Sequence, residues 1–196
     1  MGKAARANAE ARRLWIDSLS SEENAAREAA EALLENFVKP AKATGMCYRM
    51  TYFLYLYLAE LGIPSIPIVG WVTDGRDELA ISHAWLDVRG RKIDVTLVHA
   101  SPEINSIAGK ALILDRPVGA GADYAYFPHK ERRHLDADEE AATTSAEVRR
   151  LIAYKEDQHA EMAKRAGDAG EMRRFLDAAP DGITYERLKA IVQGRP

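Results

Sequence analysis

The chain has 196 residues, 47% of them hydrophobic and 29% charged, with a formal net charge of −3. Such a length and balance allow one domain with a sizeable core and offer no basic footprint for nucleic acid. A single cysteine, Cys47, excludes an internal disulfide, and the longest apolar run, YFLYLYLA, is too short to span a bilayer.

The opening, MGKAARANAEARRLW, carries charges but no apolar run of the secretory type, and its sixth residue is not the serine or threonine of a myristoylation signal. The expectation is a soluble, cytoplasmic protein without membrane or nucleic-acid partners. The first forty residues read as two helices. The second, SSEENAAREAAEALLENFV, has serine caps, an acidic first turn, and Ala26, Ala29, Ala30, Leu33, Leu34 and Phe37 at helical spacing; Pro40 closes it. A further helix is expected from Thr44-Gly45 to Gly62, with Pro64 beyond. It holds no charge between Arg49 and Glu60, so it belongs inside the domain.

The period then changes. PSIPIVGWVTDG, LAISHAWLDV and RKIDVTLV are rich in branched and aromatic residues and are punctuated by Asp74-Gly75 and Arg89-Gly90, which predicts three successive strands. KALILD predicts a short fourth strand, and 117–138 reads as irregular. Three helices follow, SAEVRRLIAYKEDQHAEMAKRAG, AGEMRRFLDAA and TYERLKAIV, separated at Gly167 and Pro180-Asp181-Gly182. No internal repeat is visible. The fold class expected is α+β, a central helix packed on an antiparallel sheet with helices at both ends.

Cys47 falls in the first turn of the central helix, where free backbone N–H groups and the helix dipole favour a thiolate. His83, on the second strand, supplies a base for such a thiol, and a base of this kind needs a carboxylate to fix its tautomer. Two candidates compete. Asp87 shares the face of His83 but lies four residues along the same strand, about 13 Å away. If Arg89-Gly90 is a two-residue turn, Val88 pairs with Arg91, Trp85 with Asp94 and His83 with Thr96. Asp94 is then a diagonal neighbour of His83, with Cβ atoms roughly 7 Å apart or less. Asp94 is the better third member.

GMC opening a helix, GIPSIPIVGWV as the next strand, then HAWLDV and IDVT together resemble the transglutaminase-like superfamily of the papain-like fold. The resemblance covers 44–98, and DVT stands where DPT is common. It implies a papain-like core with Cys47 as nucleophile, His83 as general base and Asp94 as orienting acid. It suggests small bacterial members of that superfamily, so calcium dependence is not carried over. On this reading 1–140 form the catalytic domain and 141–196 a helical extension packed on it. The activity expected is acyl transfer at an amide or ester, with a peptide or protein as substrate and water as the default acceptor. A protein-glutamine transglutaminase using an amine acceptor and a non-catalytic binding scaffold are the alternatives. No cofactor or metal is expected: the His and carboxylate residues of HKERRH and DADEE match no zinc spacing, and VGAGADY lacks the third glycine of a dinucleotide fingerprint. Trp85 is read as a core aromatic, Trp71 as core or cleft lining, and His159 as a solvated helix position.

Overall fold

The computed structural model describes residues 2–76, 78–100 and 106–195. It is an α+β protein in which, among the described residues, seven helices accompany a six-stranded antiparallel curled sheet. Helix α1 spans Lys3–Asp17 and α2 Ser21–Leu33, which runs on into a π-helical turn at Leu34–Val38. Ser20 accepts from the Glu23 N–H while the Glu23 carboxylate accepts from the Ser20 N–H, so two orphan donors of α2 are satisfied at once. All six apolar positions expected to face inward are buried.

The central helix α3 spans Cys47–Glu60. It ends as Gly62 predicts: the glycine sits at φ 72°, Ile63 N–H reaches back to Leu58 C=O, and Ile63 is buried. This is a Schellman stop, which a residue with a Cβ forms poorly. Phe53, Leu54 and Leu58 of α3 join Leu33 of α2 and Leu34 of the π-helical turn in the core.

The sheet runs in the order β5-β4-β3-β2-β1-β6, where β1 is Ile66–Thr73, β2 Ile81–Val88, β3 Arg91–Asp94, β4 Ala111–Ile113, β5 Arg116–Val118 and β6 Ala125–Phe127. Arg89 and Gly90 both take positive φ, and the β2–β3 register is Val88↔Arg91, Asp87↔Lys92, Leu86↔Ile93, as the two-residue turn requires. Alternate β2 residues therefore divide cleanly. Leu86 and Val88 join the core with α2 and α3, whereas His83 and Trp85 point to the opposite face. Beyond the sheet come α4 (Arg132–Thr144), α5 (Ala146–Ala166), α6 (Ala169–Asp177) and α7 (Tyr185–Val192). α6 packs on α3, α5 on β1, and α7 on α2, so the C-terminal helices cover the same body.

Three segments differ from expectation. The third strand stops at Asp94, because the Thr96 N–H bonds the Asp94 carboxylate instead of continuing a ladder opposite His83. The stretch read as irregular contains β5, β6 and the start of α4, none of which has a strong period of its own. Helix α4 also runs across residue 140, where the catalytic part was expected to end. No helix among the described residues is long and apolar enough to cross a membrane.

Candidate active site

Cys47 is the first residue of α3, and this helix start, like that of α1, has no side-chain cap. α2, α5, α6 and α7 are each capped by a Ser, Asp or Thr side chain, while the side chain of the α3 N-cap, Met46, caps no N–H and the first turn holds no acid. The first N–H groups of α3 therefore lack a side-chain acceptor at the point where the thiol sits. Cys47 and His83 both line a cleft of about 850 Å³ whose opposite wall is α5, including Leu151, Lys155 and Met162.

His83 is 4% exposed and Asp94 3%. The imidazole donates from Nε2 to Asp94 Oδ2 at 2.7 Å, which fixes the tautomer and leaves Nδ1 as the nitrogen for another partner. Burial alone pushes the imidazole down. The Asp94 carboxylate, and after it Cys47, more than reverse this, and His83 is raised to about 10. Asp94 shows the complementary balance: burial pushes it up, but the His83 charge and the bonds from His83 and Thr96 hold it below the usual carboxylate range. The pair is thus held as imidazolium and carboxylate, with Cys47 acting on the same ring.

Asp94 is fully engaged. Thr96 donates to Oδ1 from both its N–H and its hydroxyl, each at 2.9 Å, and Tyr126 donates to Oδ2 at 2.9 Å. Four donors surround a dry carboxylate, which stabilises its charge and locks its plane. Asp94 is absent from the cleft lining and supports His83 from behind. Asp87 is engaged elsewhere. It accepts from the Gly90 N–H at 2.8 Å and ties the β2–β3 turn.

Tyr126 escaped the sequence reading. It reaches Asp94 because β6 pairs with β1 beyond β2, and the curl of the sheet brings its hydroxyl over the face that carries His83 and Asp94. Its ring meets Trp85 edge-on at 5.2 Å, and Trp85 is a buried aromatic outside the cleft lining. Gly70 makes room: a Cβ there would lie 2.5 Å from the Trp85 ring and 2.6 Å from the Phe127 carbonyl oxygen. A glycine inside a strand signals such close approach, and this was the one available cue.

His159 is not the solvated residue that its polar helix suggested. It is half-buried, stacks on Trp71 with ring centroids 4.2 Å apart, and its Nδ1 lies 2.7 Å from Ser82 Oγ. Trp71 is both buried and part of the cleft wall. Among the described residues, no cluster of three or more His, Cys, Asp or Glu side chains is arranged to hold a metal ion. His134 of the HKERRH segment is fully buried, with Nδ1 accepting from the Glu131 N–H. Comparison with protein-family models, with curated proteins and with solved structures finds no match for this chain.

Proposed function

We propose that this protein is a thiol acyl-transfer enzyme of transglutaminase-like, papain-like type, with Cys47 as nucleophile, His83 as general base and Asp94 as the residue that orients it. The observation that carries the reading is the buried His83–Asp94 bond, with Nδ1 of the same imidazole left for Cys47 at the floor of a cleft. With Nε2–H committed to Asp94, Nδ1 is the atom that holds the proton given up by the thiol. Asp94 then stabilises the imidazolium that results.

The thiolate attacks the carbonyl carbon of an amide or ester, and the negative charge moves to the carbonyl oxygen. The N–H of Cys47, at the uncapped helix start, is one donor for that oxyanion. Collapse expels the amine or alcohol, which takes its proton from His83, and leaves a thioester on Cys47. Water, deprotonated by His83, attacks the thioester and releases the acid. The enzyme on this reading is a hydrolase of peptide or protein amides; an amine in place of that water gives a transglutaminase.

The test is mass spectrometry of the intact protein during turnover of p-nitrophenyl acetate. Expected are an acetyl adduct on Cys47, a burst of nitrophenol, and the loss of both in Cys47→Ala. A wild-type protein that forms no adduct and releases no nitrophenol refutes the reading. Adding a primary amine tests the acceptor: amide formed faster than uncatalysed aminolysis, in preference to hydrolysis and lost in Cys47→Ala, favours a transglutaminase.

A further inference from the structure

Two hydroxyls sit one residue away from the proposed reactive pair. Tyr48 follows Cys47 and Ser82 precedes His83, and Tyr48 Oη lies 2.6 Å from Ser82 Oγ. Ser82 Oγ is also 2.7 Å from His159 Nδ1, so the three side chains form one chain joining α3, β2 and α5. With Nδ1 of a neutral His159 accepting, Ser82 donates to His159 and Tyr48 donates to Ser82, and each group has a partner. Burial holds His159 below its ordinary range, which favours that neutral form.

The far end of the chain is itself anchored. Trp71, the stacking partner of His159, lies directly opposite Ser82 in the β1–β2 ladder. The Lys130 ammonium lies 3.9 Å from the Trp71 ring centroid and is ion-paired with Asp138 of α4 and Glu156 of α5. Ser82 is therefore bonded to Tyr48 of α3 and His159 of α5 and lies opposite Trp71 in the ladder.

We propose that Tyr48, Ser82 and His159 are positioning residues, a hydrogen-bonded strut that sets how closely the start of α3 approaches β2 and so fixes the spacing of Cys47 and His83. The proposal rests on Cys47 and His83 acting as a reactive pair. Its physical basis is that adjacent residues are only 3.8 Å apart along the chain. A change in the Tyr48–Ser82 separation passes through one peptide unit to the thiol and through one to the imidazole. Nothing in helix or strand propensity places a helix start against a strand to this tolerance. A bond between the two flanking side chains does.

The experiment uses iodoacetamide at pH 6, which reads the thiolate–imidazolium pair without requiring turnover, alongside p-nitrophenyl acetate. Tyr48→Phe keeps the ring and removes only the hydroxyl; Ser82→Ala removes the centre of the strut; Ser82→Thr restores a hydroxyl; His159→Phe keeps the stack and removes the acceptor. Expected is a slowing of alkylation in Tyr48→Phe and Ser82→Ala on the order of 10–10²-fold, the scale of a misplacement near 1 Å. The double variant is no slower than either single one, and Ser82→Thr stays close to wild type. His159→Phe shows a smaller loss in the same direction. In ester turnover the loss falls on kcat, with KM within about twofold. Circular dichroism and thermal melts are run on every variant. Wild-type alkylation in Tyr48→Phe, or additive losses in the double variant, overturns the strut. A wild type that is alkylated at pH 6 but never acylated sinks the proposed function alone, because the strut is still read from alkylation. A wild type inert to both reagents sinks both.

Discussion

The sharpest perturbation of the site is Asp94→Asn. All four bonds to the carboxylate come from donors: His83 Nε2–H and Tyr126 O–H to Oδ2, Thr96 N–H and Thr96 O–H to Oδ1. An asparagine must turn its NH₂ towards one of these pairs. The Thr96 N–H cannot accept, so the amide oxygen stays at the Oδ1 position and the NH₂ faces His83 and Tyr126. The Tyr126 hydroxyl can rotate to accept. His83 can accept only by moving its proton to Nδ1, which is the nitrogen the thiol needs free.

The loss has two parts. A hydrogen bond to a charged group is worth roughly 1.5–3 kcal/mol, a factor of about 10 to 10². The inverted tautomer adds to this, and in a serine triad the same substitution costs about 10⁴. A thiol gives up its proton more readily than a serine hydroxyl, which reduces the dependence on the acid, and the expected fall in ester acylation is on the order of 10–10³. The assay compares wild type, Asp94→Asn and Asp87→Asn, with circular dichroism as the control for folding. Asp87→Asn is expected to acylate as wild type does, since its partner is the Gly90 N–H. A crippled Asp87→Asn beside an unaffected Asp94→Asn refutes the assignment.

The same network makes three further predictions. Tyr126→Phe removes one donor from Asp94 and is expected to lower stability by about 1.5–3 kcal/mol in urea unfolding, with a smaller effect on acylation than Asp94→Asn. Gly70→Ala forces a Cβ against the Trp85 ring and the Phe127 carbonyl, and only the ring can move; a loss of about 1–3 kcal/mol with a shifted tryptophan emission is expected, and an unchanged melt would show that β6 yields freely. Stability should also follow the buried pair in pH. His83 is raised in the folded state, so its contribution is complete below about 6.5, the unfolded value, and disappears as pH climbs through about 10; that of Asp94 is present above the ordinary carboxylate range and is lost as pH falls through its lowered value. Urea midpoints measured from pH 3 to pH 10.5 are expected to fall at both ends, and Asp94→Asn should flatten the alkaline limb because the imidazole has lost its charge partner.

The parts of this molecule that were legible in the sequence are those fixed by neighbours. Gly62 stops α3, Ser20 and Glu23 start α2, and the Arg89-Gly90 turn sets a register from which the face of Asp94 follows. Cys47, His83 and Asp94 could be singled out because a helix start and one hairpin bring chemistry of recognisable type together. The contact between His83 and Asp94 spans only 11 residues. Tyr126 lies 32 residues from Asp94 and His159 lies 77 from Ser82, and no local period reports such contacts. Strand alternation tells which face Asp94 uses, but not that β6 will pair with β1, beyond β2, and bring a tyrosine over that face. Helical periodicity made α5 a polar surface helix, since a residue such as His159 is charged or neutral according to what covers it. What covers it is Trp71, and that tryptophan is free to accept a ring because it lies beside Ser82 on the helix-facing side of the sheet. The dry carboxylate and the anchored hydroxyls therefore depend on how the sheet closes, and Gly70, whose missing Cβ lets Trp85 and β6 approach, is where the sequence permits that closure.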